Sequence, residues 1–285
     1  MASGPPPTID DLGLPAALHL AALVESSQRR CRIAPTRRMT LALMGQLRDL
    51  GLIQVPWPEA RWDAAPDAHE TPIEGLQWRY AWAAYQPEGL PLALTDYLQA
   101  VPRDDFAIAL RLKIWRELAI AEAEAFFEAQ LAKHQFDAAW AQDLVFVHRD
   151  CGLELSAAQW RYCAWAATRQ GAAFAQQQRV PDAARVREVI FAELRRRIGP
   201  VASGQWSNTS FVPYNPRPDS ALSALFVEYL TSLGPAFWQH VPSELALLAP
   251  AQPRQASWVG DFIWADYFIR PRRGPLLPRG LPWIV

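Results

Sequence analysis

The 285-residue sequence predicts a mainly α protein in three parts. A small module of two helices and a β-hairpin covers 1–86, a larger all-α domain covers 87–250, and an extended aromatic and basic tail covers 251–285. Three observations predict this. Apolar residues recur at helical spacing through most of the chain. One run, "LQWRYAW" at 76–82, alternates strictly instead. After Pro250 the texture changes to "SWVGDFIWADYFI" and then to the Pro- and Arg-rich "RPRRGPLLPRGLPWIV". Hydrophobic residues make up 51% of the chain, enough to bury a core, and charged residues at 20% are too few for a disordered polyelectrolyte.

The first helix is expected from Pro15 to Gln28, with Leu14, Leu18, Leu20, Ala21, Ala22 and Val24 on a broad apolar face. Proline is tolerated in a first turn because the N–H it lacks has no helical partner there. Next comes "RRCRIAPTRRMTLALMGQLRDLGLIQV", residues 29–55, which holds six arginines and one acid. Thr36 is the expected N-cap of a second helix running to Leu50, with Gly51 as its left-handed terminator. Met39, Leu43, Leu47 and Leu50 fall within about 40° of one direction and Arg37, Arg38 and Arg48 on the other side. A strand follows with Ile53, Val55 and Trp57 on one face, then a Pro- and Asp-rich loop, then the strand at 76–82 with Leu76, Trp78, Tyr80 and Trp82 on one face.

The order of helix, basic connector, amphipathic helix ending in Gly-Leu-Ile, strand, tip and strand resembles a winged helix-turn-helix module over roughly residues 10–85. Its most specific part is "MGQLRDLGLIQV", where a recognition-like helix turns into the wing. The connector 28–36 is short for the middle helix of that motif, and the wing tip is long. Downstream, "LKIWRELAIAEAEAFFEAQL" (112–131), "LSAAQWRYCAWAATRQGAAF" (155–174) and "SALSALFVEYL" (220–230) are similar to a group of uncharacterised bacterial proteins that begin with such a segment. That likeness implies an architecture and no activity.

The remaining helices follow from caps and stripes. Asp105 is the expected cap of a long helix reaching about His134, with Leu110, Trp115, Leu118, Ala121 and Ala125 inside. A short helix is expected around Trp140 to Phe146. Ser156 with Gln159 makes a capping box for the next helix, which ends before Pro181. Asp182 caps a helix with Val186, Val189, Ile190 and Leu194 inward. Arg195, Arg196 and Arg197 complement its last turn, and Gly199-Pro200 stops it. Ser220 opens a helix with Leu222, Leu225, Phe226 and Tyr229 inward, which stops at Gly234-Pro235. "QWRY" occurs at 77–80 in a strand pattern and at 159–162 in a helix pattern, so it is not an internal repeat.

Composition narrows the function classes. Arginine outnumbers lysine 26 to 2, a bias that a GC-rich bacterial genome writes everywhere, so the positions of the arginines matter more than their number. Cys31, Cys151 and Cys163 are odd in number and not closely paired, which fits a reducing compartment better than a disulfide framework. The N-terminus does not read as a signal peptide and no run approaches 18 apolar residues free of charge, so a cytoplasmic location is expected, with no membrane partner. No cofactor is implied.

Catalytic and metal motifs are incomplete. His148-Arg149-Asp150 matches three letters of the kinase catalytic loop, but Leu155 stands where that loop needs a metal-binding Asn, and no glycine-rich phosphate loop precedes it. These residues read as a loop before a helix. His148, Cys151 and Cys163 have no zinc-finger spacing. Glu117, Glu122, Glu124 and Glu128 read as a solvated helix row.

The expectation is therefore a non-enzymatic protein that binds double-stranded DNA. Thr36, Arg37, Arg38 and Thr40 would meet bases, Arg29, Arg30 and Arg32 would meet phosphates, and Arg48 would extend the cationic face. Reversing Arg37 and Arg38 to Glu would abolish binding while the fold survives. The alternative is a protein–protein component of a multiprotein bacterial assembly, for example a defence or toxin-neutralising system, whose winged helix does not touch DNA. A partner or a second copy would then dock on the helical domain or the tail, with tryptophans as anchors.

Overall fold

The computed structural model describes residues 8–54, 79–81, 89–178 and 182–248. Contacts group the chain into Met1–Ala251 and Gln252–Val285. The expected tail therefore lies outside the described residues, as do Val55, Trp57, Leu76, Trp78 and Trp82. What is described is mainly α, and no helix in it is long and apolar enough to cross a membrane.

Helix α1 (Ile9–Arg29) opens with a capping box between Thr8 and Asp11, then breaks at Gly13, whose φ of 70° suits a residue without Cβ. From Leu14 onward it is apolar nearly all round, with Ala17, Leu18, Leu20, Ala22 and Leu23 fully buried. Such a helix belongs at the centre of a core, and α1 packs against the helices Arg37–Asp49, Leu90–Ala100, Asp105–Lys133 and Ala221–Leu225.

Helix α2 (Arg37–Asp49) starts where Thr36 Oγ1 accepts from the Met39 N–H. It ends in a Schellman turn: Leu52 N donates to Leu47 O, and Gly51 N to Arg48 O, with Gly51 at φ 72°. Its buried face is Thr40, Leu43, Met44 and Leu47. The expected face was turned slightly wrong, for Leu50 is 45% exposed and Thr40 is fully buried. Thr40 can be buried because its hydroxyl donates to Thr36 O at 3.1 Å. Strands β1 (Ile53–Gln54) and β2 (Arg79–Tyr80) pair antiparallel, Ile53 opposite Tyr80.

Helix α3 (Leu90–Ala100), which the sequence reading passed over, buries Leu90, Leu94 and Leu98. Helix α4 (Asp105–Lys133) is capped by Asp104, one residue before the expected cap, through its carboxylate and the Ala107 N–H. At 29 residues it spans about 43 Å. A 3₁₀ turn at Ala138–Asp143 leads into α5 (Leu144–Cys151). His148-Arg149-Asp150 thus lies on a helix rather than in a loop. Helix α6 (Ala157–Gln176) begins with the expected Ser156–Gln159 capping box.

Helix α7 (Ala183–Ala202) runs through Gly199-Pro200 instead of stopping there. Ile198 and Val201 are buried, and their packing outweighs the one donor that proline lacks near a C-terminus. Arg196 and Arg197 are bound to Glu193 within the helix rather than serving its last turn. Helix α8 (Ala221–Leu225) widens into a π turn at Phe226–Leu230 and ends at extended Thr231, before the expected stop. A 3₁₀ turn at Gly234–Trp238 and the short α9 (Glu244–Leu248) complete the described chain.

Two apolar clusters line up along α4. One joins α1, α2, α3, the first half of α4, α8 and the Gly234–Trp238 turn. The other joins the second half of α4 to α5, α6 and α7. The first draws residues from both sides of position 86, so the expected boundary there does not separate two cores.

Candidate functional site

The connector between α1 and α2 is fastened to a distant part of the chain. Ala221 N donates to Arg32 O at 2.8 Å, and Leu222 N donates to Ile33 O at 2.9 Å. These are first-turn donors of α8, which have no partner inside their own helix. The connector therefore caps α8 and lies along the helical body.

This placement splits the eight residues expected to face DNA. Arg29 pairs with Glu25 one turn back. Arg38 reaches Glu124 on α4 at 2.7 Å. Arg48 lies beside Asp49 at 3.1 Å. Arg37 is half-buried. Thr36 and Thr40 are 5% and 0% exposed, with their hydroxyls used inside α2. Of the N-terminal turn of α2, which would have to enter a groove, Thr36 and Thr40 are thus buried, while Arg38 is exposed and tied to Glu124.

Arg30 and Arg32 go elsewhere. They line a cleft of about 880 Å³ with Glu122 of α4, Arg161 of α6, and Asn215, Arg217 and Asp219 of the loop before α8. Arg30 ends α1 in the left-handed region at φ 53°, a conformation costing a residue with Cβ about 1 kcal/mol. Among the described residues, no ion pair or hydrogen bond engages the guanidinium of Arg30, Arg32 or Arg217, though the Arg217 backbone N–H donates to Asn215 Oδ1.

Arg161 is packed among three aromatic rings. Its guanidinium carbon lies 4.5 Å from the Phe126 ring centroid, 5.1 Å from Trp238 and 5.9 Å from Phe211. Trp238 is fixed in turn by its indole N–H, which donates to Pro216 O at 2.5 Å. Cation–π contact holds a guanidinium at low solvation. Burial pulls the Arg161 pKa below its usual range, opposed by Glu122 and Asp219.

Glu122 sits where the two apolar clusters meet. Its Oε1 is sealed from solvent and accepts no hydrogen bond, and Ser223 Oγ is likewise buried without a partner. Burial pushes the Glu122 carboxyl up to about 7, and the charges of Arg161 and Arg32 only partly offset that, while Asp219 adds to it. Glu124 is 3% exposed. Its pKa is raised by burial, against the pull of Arg38. The solvated row expected on α4 is therefore corrected at both positions: α8 and the connector cover one side of α4, and Arg38 caps the other.

The other chemistry-bearing residues do not assemble. The Cys31 thiol is pushed up, chiefly by burial and then by Glu25, the opposite of an activated thiol. Cys163 is buried and pushed up to about 12. His148 packs edge-on to Trp160, ring centroids 5.6 Å apart. Among the described residues, no three His, Cys, Asp or Glu side chains gather as a metal site. Comparison with protein-family models, curated proteins and solved structures finds no match.

Sequence reasoning missed Glu122 as a site residue, and Arg161, Arg217 and Asp219 altogether. They lie on three segments far apart in the chain. The signal within reach was a run of "NPRPDS" immediately before a Ser-capped helix.

Proposed function

We propose that the protein is a non-enzymatic binding protein whose ligand is negatively charged and occupies the cleft of connector, α4, α6 and the 213–220 loop. One observation carries this reading: four arginines, Arg30, Arg32, Arg161 and Arg217, and two acids, Glu122 and Asp219, line a single cavity. The lining is cationic in a chain whose net charge is −1. Guanidinium forks match phosphate and carboxylate oxygens, and the cavity has the volume of a small-molecule site.

The test is calorimetric titration of the whole chain with sulfate as a minimal anion. Saturable binding is expected, weakened about ten-fold or more in Arg217→Glu, the loss usual for a charge-assisted contact. Absence of binding at low ionic strength would sink the reading.

Duplex DNA binding stands as the second reading. It is favoured by the order α1, α2, β1, β2 and by the tight Gly51 turn between α2 and β1. Its weakness is the occupied N-terminal turn of α2. The charge reversal at Arg38 is no longer a clean probe, because Arg38→Glu would set a carboxylate against buried Glu124. Salt dependence serves instead. A reader of duplex DNA loses affinity steeply with salt, and sulfate should leave its binding no weaker than chloride of equal ionic strength. A cleft ligand should be displaced by sulfate specifically.

A further inference from the structure

We propose that the cleft takes a terminal dianionic group, a phosphate monoester, and that Glu122 participates as its protonated acid, donating a hydrogen bond to a phosphate oxygen. This rests on the cleft being an anion site at all.

Charge complementarity argues for the dianion. With Glu122 protonated the lining carries a net charge of +3, from four arginines against Asp219. A monoester carries about −1.5 to −2 near neutrality and offsets most of it, whereas a diester or carboxylate carries −1 and leaves the larger surplus of positive charge. Three of the arginines come from outside the rigid helices, two on the connector and one on the loop, and can approach a tetrahedral group from different sides.

Glu122 supplies the remaining selectivity. An ionised carboxylate in this wall repels an anion, while its acid form is a donor. The groups facing it are Arg161 from α6, Arg32 from the connector, Asp219 from the loop and Ser223 from α8. None of them closes a hydrogen bond to Oε1. A buried carboxylate oxygen left without a partner is unfavourable, which favours the acid form of Glu122, whose side chain lines the cleft. The raised carboxyl makes that proton available near neutral pH, so anion and proton enter together.

The experiment titrates the full chain with four probes: sulfate, ribose 5-phosphate, dimethyl phosphate and acetate. Sulfate stays dianionic over the whole range from pH 6 to pH 8, so its pH dependence reports the protein alone. The two dianions are expected to bind at least about ten-fold more tightly than dimethyl phosphate or acetate. Sulfate affinity is expected to fall about ten-fold from pH 6 to pH 8, as the protonated fraction of Glu122 falls. In Glu122→Gln, a near-isosteric neutral side chain, that pH dependence should vanish.

A short oligonucleotide with a 5′-phosphate, beside the same strand with a 5′-hydroxyl, separates the two sources of a monoester. Preference for the phosphorylated strand over ribose 5-phosphate places it on nucleic acid, and the reverse places it on a small molecule; either supports the ligand class. Equal binding of dimethyl phosphate and the dianions would overturn the proposal, as would an unchanged pH profile in Glu122→Gln, and both leave the anion site standing. Failure of every anion to bind would remove both. Thermal melting of Glu122→Gln and of Arg217→Glu beside the parent shows that lost binding is not lost fold.

Discussion

At the residue scale, two carboxylates on α4 govern stability in different ways. Glu122 titrates near 7 when folded and near 4.3 as a free side chain. The folded state therefore holds its proton more tightly. Its contribution is fully present below about pH 4.3 and is lost as pH rises through about 7. Glu122→Gln should thus be more stable than the parent at pH 8, by at most about 4 kcal/mol, and nearly equal to it at pH 4. His19 pulls the other way. It is half-buried beside Gln46, Nδ1 to Oε1 at 2.8 Å, and the partial burial lowers its pKa, so its contribution is lost as pH falls. Only the difference between parent and variant melts isolates Glu122, and a constant difference from pH 4 to pH 8 would contradict the assignment. Glu124 is different because it has a partner. Arg38→Ala strands a carboxylate that is 3% exposed, and should cost about 2–3 kcal/mol, below the full penalty for a buried pair because Arg38 itself is half in water. Urea unfolding measures it; no change would mean that Arg38 is a free surface cation after all.

At the element scale, caps were the most legible feature of the sequence. Thr36, Ser156, Asp182 and Ser220 all cap the helices they precede, since a side chain satisfying a first-turn donor acts within three residues. Stops were less legible. Gly199-Pro200 did not stop α7, because a stop competes with tertiary burial that local sequence does not show. Gly171 shows the same lesson in packing. It sits inside the apolar stripe of α6, and a Cβ built there would lie 2.3 Å from Ile190 Cγ1 on α7. Ile190 is fully buried and cannot swing away. Gly171→Ala would ordinarily favour a helix by about 1 kcal/mol, yet here it should destabilise by about 1–3 kcal/mol through overpacking. A raised melting temperature would show that α6 and α7 are not so closely apposed.

At the scale of the whole molecule, the mainly α class was legible and the site was not. Periodicity reports which face of a helix is apolar, and it did so for α1 and α4. It does not report what covers that face. The arginines at 29–38 looked like one cationic surface because they are neighbours in sequence, whereas the fold hands Arg38 to α4 and Arg30 and Arg32 to a cleft completed by Arg161 and Arg217. Ending the chain at residue 210 tests how far this matters: without α8 the connector loses its two backbone bonds, and hydrogen exchange at the amides of residues 30–36 and along α1 should quicken markedly. Unchanged protection would mean that the N-terminal helices stand alone. The same stitch sets a schedule for synthesis. Arg32 leaves the ribosome about 190 residues before Ala221, which at usual rates is roughly 10–40 s. For that interval α1, apolar on nearly every side, lacks α8 and much of its cover. The nascent chain is then a client for holdase chaperones, and slowing elongation before residue 221 should raise aggregation rather than improve folding.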